Sequence, residues 1–264
     1  MSNSNKLENA LKKELISVIK AEAKLKKKAD TPVNSYKEKL EAKIPEGINS
    51  ALQKAFSKAF GLVFSHGIGI IEKGYDKGRL ADDFDIQNYA IDKKSSRKEI
   101  RKLKNSAWKS DFVNMTVTTA EGLGLGVLGI GLPDIVLFTG MILKGIYEAS
   151  LRCGYDYESS QERYLILLMM KAALSKGEER ERFDAEVDRL FSVSCDVSDD
   201  VIKCEIDETA KCFATDMLVM KFIQGLPVIG VVGGVFNPVY YNRIMNYVRL
   251  KYYKRYLLDK LKSL

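Results

Sequence analysis

The chain has one histidine, His66, and four cysteines, Cys153, Cys195, Cys204 and Cys212, with no CxxC spacing among them. That scarcity of nitrogen and sulfur ligands argues against a zinc centre and a disulfide framework, so neither metal nor cofactor is expected. The opening MSNSNKLENALKKE lacks the apolar core of a secretory signal, and a reducing cytoplasm fits best. A simple membrane span is also missing. The best candidate, Glu121 to Gly145, reads EGLGLGVLGIGLPDIVLFTGMILKG. Its middle is interrupted by Pro133 and Asp134, where an ionised carboxylate costs about 3 kcal/mol in hydrocarbon.

What remains is an ordinary globular composition, 46% hydrophobic and 29% charged over 264 residues, which argues against wholesale disorder and a polytopic membrane protein. The spacing predicts helices. Leu7, Leu11, Leu15, Val18 or Ile19, and Leu25 form one stripe among lysines, a basic amphipathic N-terminal helix over residues 1–30. A helical domain over 31–264 follows. Thr31-Pro32 is expected to start a helix, and Pro45 to break it before a restart near Gly47. Phe60 to Tyr75 is a glycine-spaced apolar stretch expected to pack on the central element. Asp82 to Asn88 reads as a turn, and Ser95 to Trp108 as a basic helix.

Gly124-x-Gly126-x-x-Gly129 has the letters of a dinucleotide fingerprint, but the stretch before it reads as helix rather than strand, so that reading is rejected. Pro133 instead starts a helix with Asp134 in its first turn, where the helix dipole favours an anion, and Gly154 ends it in left-handed geometry. Helices are expected over 158–176 and 178–191. Another starts at a Ser198 cap and runs past Cys204 and Cys212, taken as core residues. Gly225-Leu226-Pro227 and Gly230 repeat the central glycine-rich design, and Asn237-Pro238 starts a last helix. The class is all-α: one multi-helix domain with two glycine-rich apolar helix-turn elements.

Charge is distributed in blocks. Met1 to Lys28 holds eight lysines against three glutamates, and Phe236 to Leu264 seven Lys or Arg against Asp259 alone. Tyr155 to Asp216 is acidic, so an electrically polarised molecule is expected. Arg243, Arg249, Lys251, Lys254 and Arg255, interleaved with Tyr252 and Tyr253, have the composition of a membrane-interface or ligand-binding face.

The glycine-rich run ending in Gly131-Leu132-Pro133-Asp134, the Tyr155 region and the later LPVIGVVGGVFNPVYYNRIMNYVRLKYYKRYL, which spans Pro227, Gly230 and Asn237, together resemble the EcsC protein family of bacteria from about Leu52 onward. The resemblance implies a mostly helical cytoplasmic protein whose family has no agreed activity, with a hint of membrane-related work and no catalytic residues to carry over. Three readings are open. The first is a non-enzymatic peripheral protein on the inner face of the membrane, binding an anionic surface or a membrane protein. The second is a soluble carrier of a lipid or other apolar ligand. The third is an enzyme using His66, Asp134 or Asn237. Nucleic acid is disfavoured as a partner, because the aromatics lack a sheet platform and the middle of the chain is acidic.

Overall fold

A computed structural model describes residues 3–29, 44–64, 68–72, 74–108, 132–223 and 238–264. Every regular element among the described residues is a helix, so the all-α expectation holds. In chain order these are α1 (Asn3–Ala29), α2 (Glu46–Leu62), α3 (Ile68–Glu72), α4 (Lys77–Lys94) and α5 (Arg97–Ala107), then α6 (Leu132–Leu151), α7 (Ser160–Leu174), α8 (Gly177–Leu190), α9 (Asp199–Ile223) and α10 (Pro238–Lys262).

Helix α6 is apolar on nearly every side, and such a helix has to be covered all round. The cover comes from α2, α3, α4 and α10. Its backbone contains Pro133 and Asp134 in the first turn, as expected. A Cβ at Gly145 would sit 2.6 Å from the Tyr241 hydroxyl and 3.1 Å from the Met245 sulfur, so glycine lets α6 and α10 approach closely here. Helix α7 is the second buried axis. Leu165 to Leu174 are all buried beneath α8, α9 and α10. The one cation in that run, Lys171, is matched by Glu205 of α9 at 2.7 Å.

Caps explain where several helices begin. Ser96, Ser159 and Ser198 accept from the backbone N–H of Glu99, Glu162 and Val201, satisfying donors that the first turn leaves without an intrahelical partner. Asp82 to Asn88, expected as a turn, lies inside α4. Asp76 caps this helix by accepting from Arg79 N at 2.9 Å. Leu80, Phe84 and Ile91 face the core while Asp82 and Asp85 are exposed, so the acids form a solvated helix face rather than a break. A second correction concerns sulfur: Cys204 is exposed, while Cys212 is half-buried and packs against the core. The Thr31-Pro32 start, His66, the glycines from Gly122 to Gly131 and the stretch holding Pro227, Gly230 and Asn237 lie outside the described residues.

After α6 the chain turns at Gly154, whose φ of +85° is left-handed, and a Cβ there would meet Phe84 Cζ at 2.3 Å. Both backbone and space therefore require glycine. Gly154→Ala is expected to cost at least about 1–2 kcal/mol from the backbone alone, lowering Tm by about 2–8 °C in thermal unfolding. An unchanged Tm would show that the turn relaxes freely.

Candidate functional site

Helix α10 carries all of the cations and tyrosines that the sequence marked for a membrane or ligand face, and it packs against α1, α5, α6 and α7. Charges that are enclosed on several sides need partners, because an unpaired buried ion costs several kcal/mol. The acids come from α1, α7, α8 and α9. Lys251, whose side chain is 3% exposed, lies 3.0 Å from Glu22 of α1 and 3.2 and 2.9 Å from Asp184 and Asp188 of α8. Lys254 reaches Glu22 at 3.0 Å and Asp188 at 2.7 Å. Arg255 pairs with Glu162 at 2.8 Å and stacks over Tyr155, while Tyr252 donates to the other Glu162 oxygen at 2.7 Å. Arg243 binds Asp216 at 2.9 Å and donates to the carbonyls of Ala173 and Leu174, closing the C-terminal end of α7.

Four acids of the acidic segment, Glu162, Asp184, Asp188 and Asp216, thus pair with the basic segment inside the fold. This corrects the expectation of a lipid-facing surface made of Arg243, Arg249, Lys251, Lys254, Arg255, Tyr252 and Tyr253, which are buried or half-buried against other helices. Tyr253 is buried against Trp108 with ring centroids 6.2 Å apart, and it donates to Glu14 at 3.4 Å.

Arg249 leads to a polar centre that the sequence reading missed. It is buried near Glu148, which sits on α6 with Lys144 and Arg152 one turn to either side. Burial pushes the Glu148 carboxyl above its ordinary range in spite of the three cations around it. Burial likewise lowers the Lys144 and Arg249 pKa values. Beside this centre, Tyr75 donates to Tyr157 at 2.6 Å, Tyr157 donates to Glu72 at 2.5 Å, and the Tyr147 ring stacks on Tyr157 at 4.0 Å. The legible signal was the i, i+4, i+8 spacing of Lys144, Glu148 and Arg152 in an otherwise apolar helix.

The free surface of basic character lies on α1. Its inner side buries Leu7, Leu11 and Val18 against the core. On its outer side Ile16 and Ile19 are 53% and 51% exposed, with the exposed lysines Lys12, Lys13, Lys20 and Lys24 close to them around the helix. The seam with α5 is sealed by Glu14, 1% exposed, whose Oε1 accepts from Arg97 Nε and, at 2.8 Å, from Arg101 Nε. Arg97 also donates to Ser17 Oγ at 2.9 Å. The sequence reading recognised the amphipathic helix and left Val18 or Ile19 for its apolar stripe; Val18 is the one that faces the core, and Ile19 faces outward.

The pattern of the EcsC protein family matches residues 10–257. The chain belongs to the EcsC protein family. The match begins inside α1 and ends inside α10, a wider span than the glycine motifs alone suggested from Leu52 onward. Protein EcsC of Bacillus subtilis (strain 168) is 28% identical over 138 residues, covering 51% of this chain and 56% of that relative. The matched region thus spans little more than half of the relative's length. No solved structure matches.

Two measurements check the electrostatic architecture. Lys251→Met removes the cation shared by Glu22, Asp184 and Asp188, of which Glu22 and Asp188 keep Lys254, and is expected to cost about 3 kcal/mol in urea unfolding, the low end for a broken buried pair. Lys203→Met, at an exposed pair with Asp200, should stay within about 0.5 kcal/mol of the parent. Glu14 adds acid sensitivity. Burial pushes its carboxyl up, but the hydrogen bonds and charges of Arg97 and Arg101 prevail and hold it below the ordinary 4.5. Its stabilisation is complete above that ordinary value and is lost as pH falls through the lower folded value. Between about pH 6 and pH 3 the parent should therefore lose more stability than Glu14→Gln, and parallel curves would remove Glu14 from the account.

Proposed function

We propose that this EcsC-family protein is a non-enzymatic, peripheral membrane protein that docks on an anionic surface, the inner face of the cell membrane, through the outer side of α1. The observation that carries the reading is the Ile16 and Ile19 pair, exposed between lysines on a helix that is otherwise firmly packed. Isolated exposed apolar residues need no explanation, but two neighbouring isoleucines bordered by cations have the composition of an interfacial helix face. None of the described helices is long and apolar enough to cross a membrane, which is compatible with attachment from one side.

The magnitudes suit reversible attachment. Each lysine near an anionic surface contributes about 1 kcal/mol, within a Debye length of about 8 Å at physiological salt. Each isoleucine side chain contributes about 1.5–3 kcal/mol when fully buried in apolar surroundings, and less at interfacial depth. Neither contribution alone holds the protein firmly.

Co-sedimentation with phosphatidylglycerol and phosphatidylcholine vesicles tests this. The parent should pellet with the anionic vesicles and be released by salt. Lys13→Gln/Lys20→Gln/Lys24→Gln and Ile16→Ser/Ile19→Ser should each reduce binding about tenfold or more. A parent protein that stays in the supernatant with anionic vesicles at low salt would sink the reading.

A further inference from the structure

We propose that the seam between α1 and α5 receives the phosphate of a phosphomonoester lipid headgroup, with Arg97 and Arg101 as its fork. The proposal rests on the membrane reading for the source of that phosphate. Arg97 and Arg101 stand one turn apart on α5, and both donate through Nε to the same oxygen of Glu14. Glu14 is enclosed and cannot turn to solvent, so it fixes both guanidinium planes. The arginines themselves are open, their side chains 37% and 54% exposed.

One carboxylate requires one cation for neutrality, and here it holds two. Among the described residues Arg101 makes no hydrogen bond other than the one from Nε, so its Nη groups are available on the open side. Arg97 uses Nη2 on Ser17 and keeps Nη1. Lys13 and Lys20, both exposed, stand one turn before and one turn after Ser17 on the same strip of α1. The seam therefore has surplus positive charge, planar donors already oriented by a buried acid, and two exposed ammonium groups beside them.

That combination matches a tetrahedral oxyanion better than a diffuse field of charge. Guanidinium forks bind phosphate with two parallel hydrogen bonds, and pre-orientation reduces the side-chain entropy lost on binding. A phosphomonoester carries about −1.5 to −2 charges at neutral pH, whereas a phosphodiester such as phosphatidylglycerol carries a single one. Two guanidinium groups favour the former. The strip of Lys13 and Lys20 lies between the seam and exposed Ile16, which is about 100° around α1 from Ser17, so a headgroup phosphate reaching the seam passes that strip.

The test compares phosphatidic acid vesicles with phosphatidylglycerol vesicles matched in total charge, for the full chain, Arg101→Gln and Arg101→Lys. The parent should bind phosphatidic acid about tenfold more tightly. Arg101→Lys keeps the charge and removes the fork, so it should retain phosphatidylglycerol binding and lose the preference. Arg97 remains in both variants to hold Glu14, and thermal unfolding confirms that they are folded. Equal affinity of the parent for the two vesicle types, or a preference that survives in Arg101→Lys, overturns the phosphate fork and leaves the membrane reading standing. Stabilisation of the parent by inorganic phosphate or glycerol 3-phosphate without binding to either vesicle type overturns the lipid source, and with it the membrane reading.

Discussion

Lys251 is the point on which the arrangement depends. A primary ammonium almost sealed from water has to be met by acids from the elements around it, and those acids come from α1 and α8. The interaction does not by itself give large stability, because desolvation offsets much of the attraction between buried ions. It gives register. Sliding α10 by one residue would turn Lys251 away from Glu22, Asp184 and Asp188 and would misplace Lys254, Arg255 and Arg243 at the same time. Apolar packing tolerates such slips more easily than a row of paired charges does.

The arrangement also explains why α10 has no polar side and apolar side in the usual sense. Its tyrosines put rings into the core and hydroxyls onto acids, as Tyr252 does with Glu162 and Tyr247 with Asp184. Its cations do the same with their stems and heads. A helix enclosed in this way reads in one dimension like an exposed, basic, aromatic-rich segment.

Much of the helical framework was legible in the sequence because its signals are local. Serine caps, the glycine after α6 and the apolar runs of α6 and α7 act within a few residues of themselves. The candidate site was less legible because its signals are not local. The charge of Lys251 is visible in the sequence, but the acids that neutralise it lie far away in it. Counting charge by segment therefore assigned to the surface what belongs to the interior. Asp82 and Asp85 misled in the opposite direction, since acids on a solvated helix face have the composition of a loop. The stripe of Lys144, Glu148 and Arg152 was readable, but a long apolar helix draws attention to its apolar residues.

The bond from Tyr253 to Glu14 joins residues 239 positions apart, and Lys254 meets Glu22 across 232. At about 5–20 residues per second, the ribosome makes α10 roughly 12–48 s after α1. During that interval the acids and leucines on the inner side of α1 have none of their α10 partners, and the helix is a basic amphipathic segment whose earlier partner is α5. The order of synthesis thus gives the nascent chain a period in which α1 meets the cell before it meets α10, and closure waits for the tyrosines and lysines of that helix.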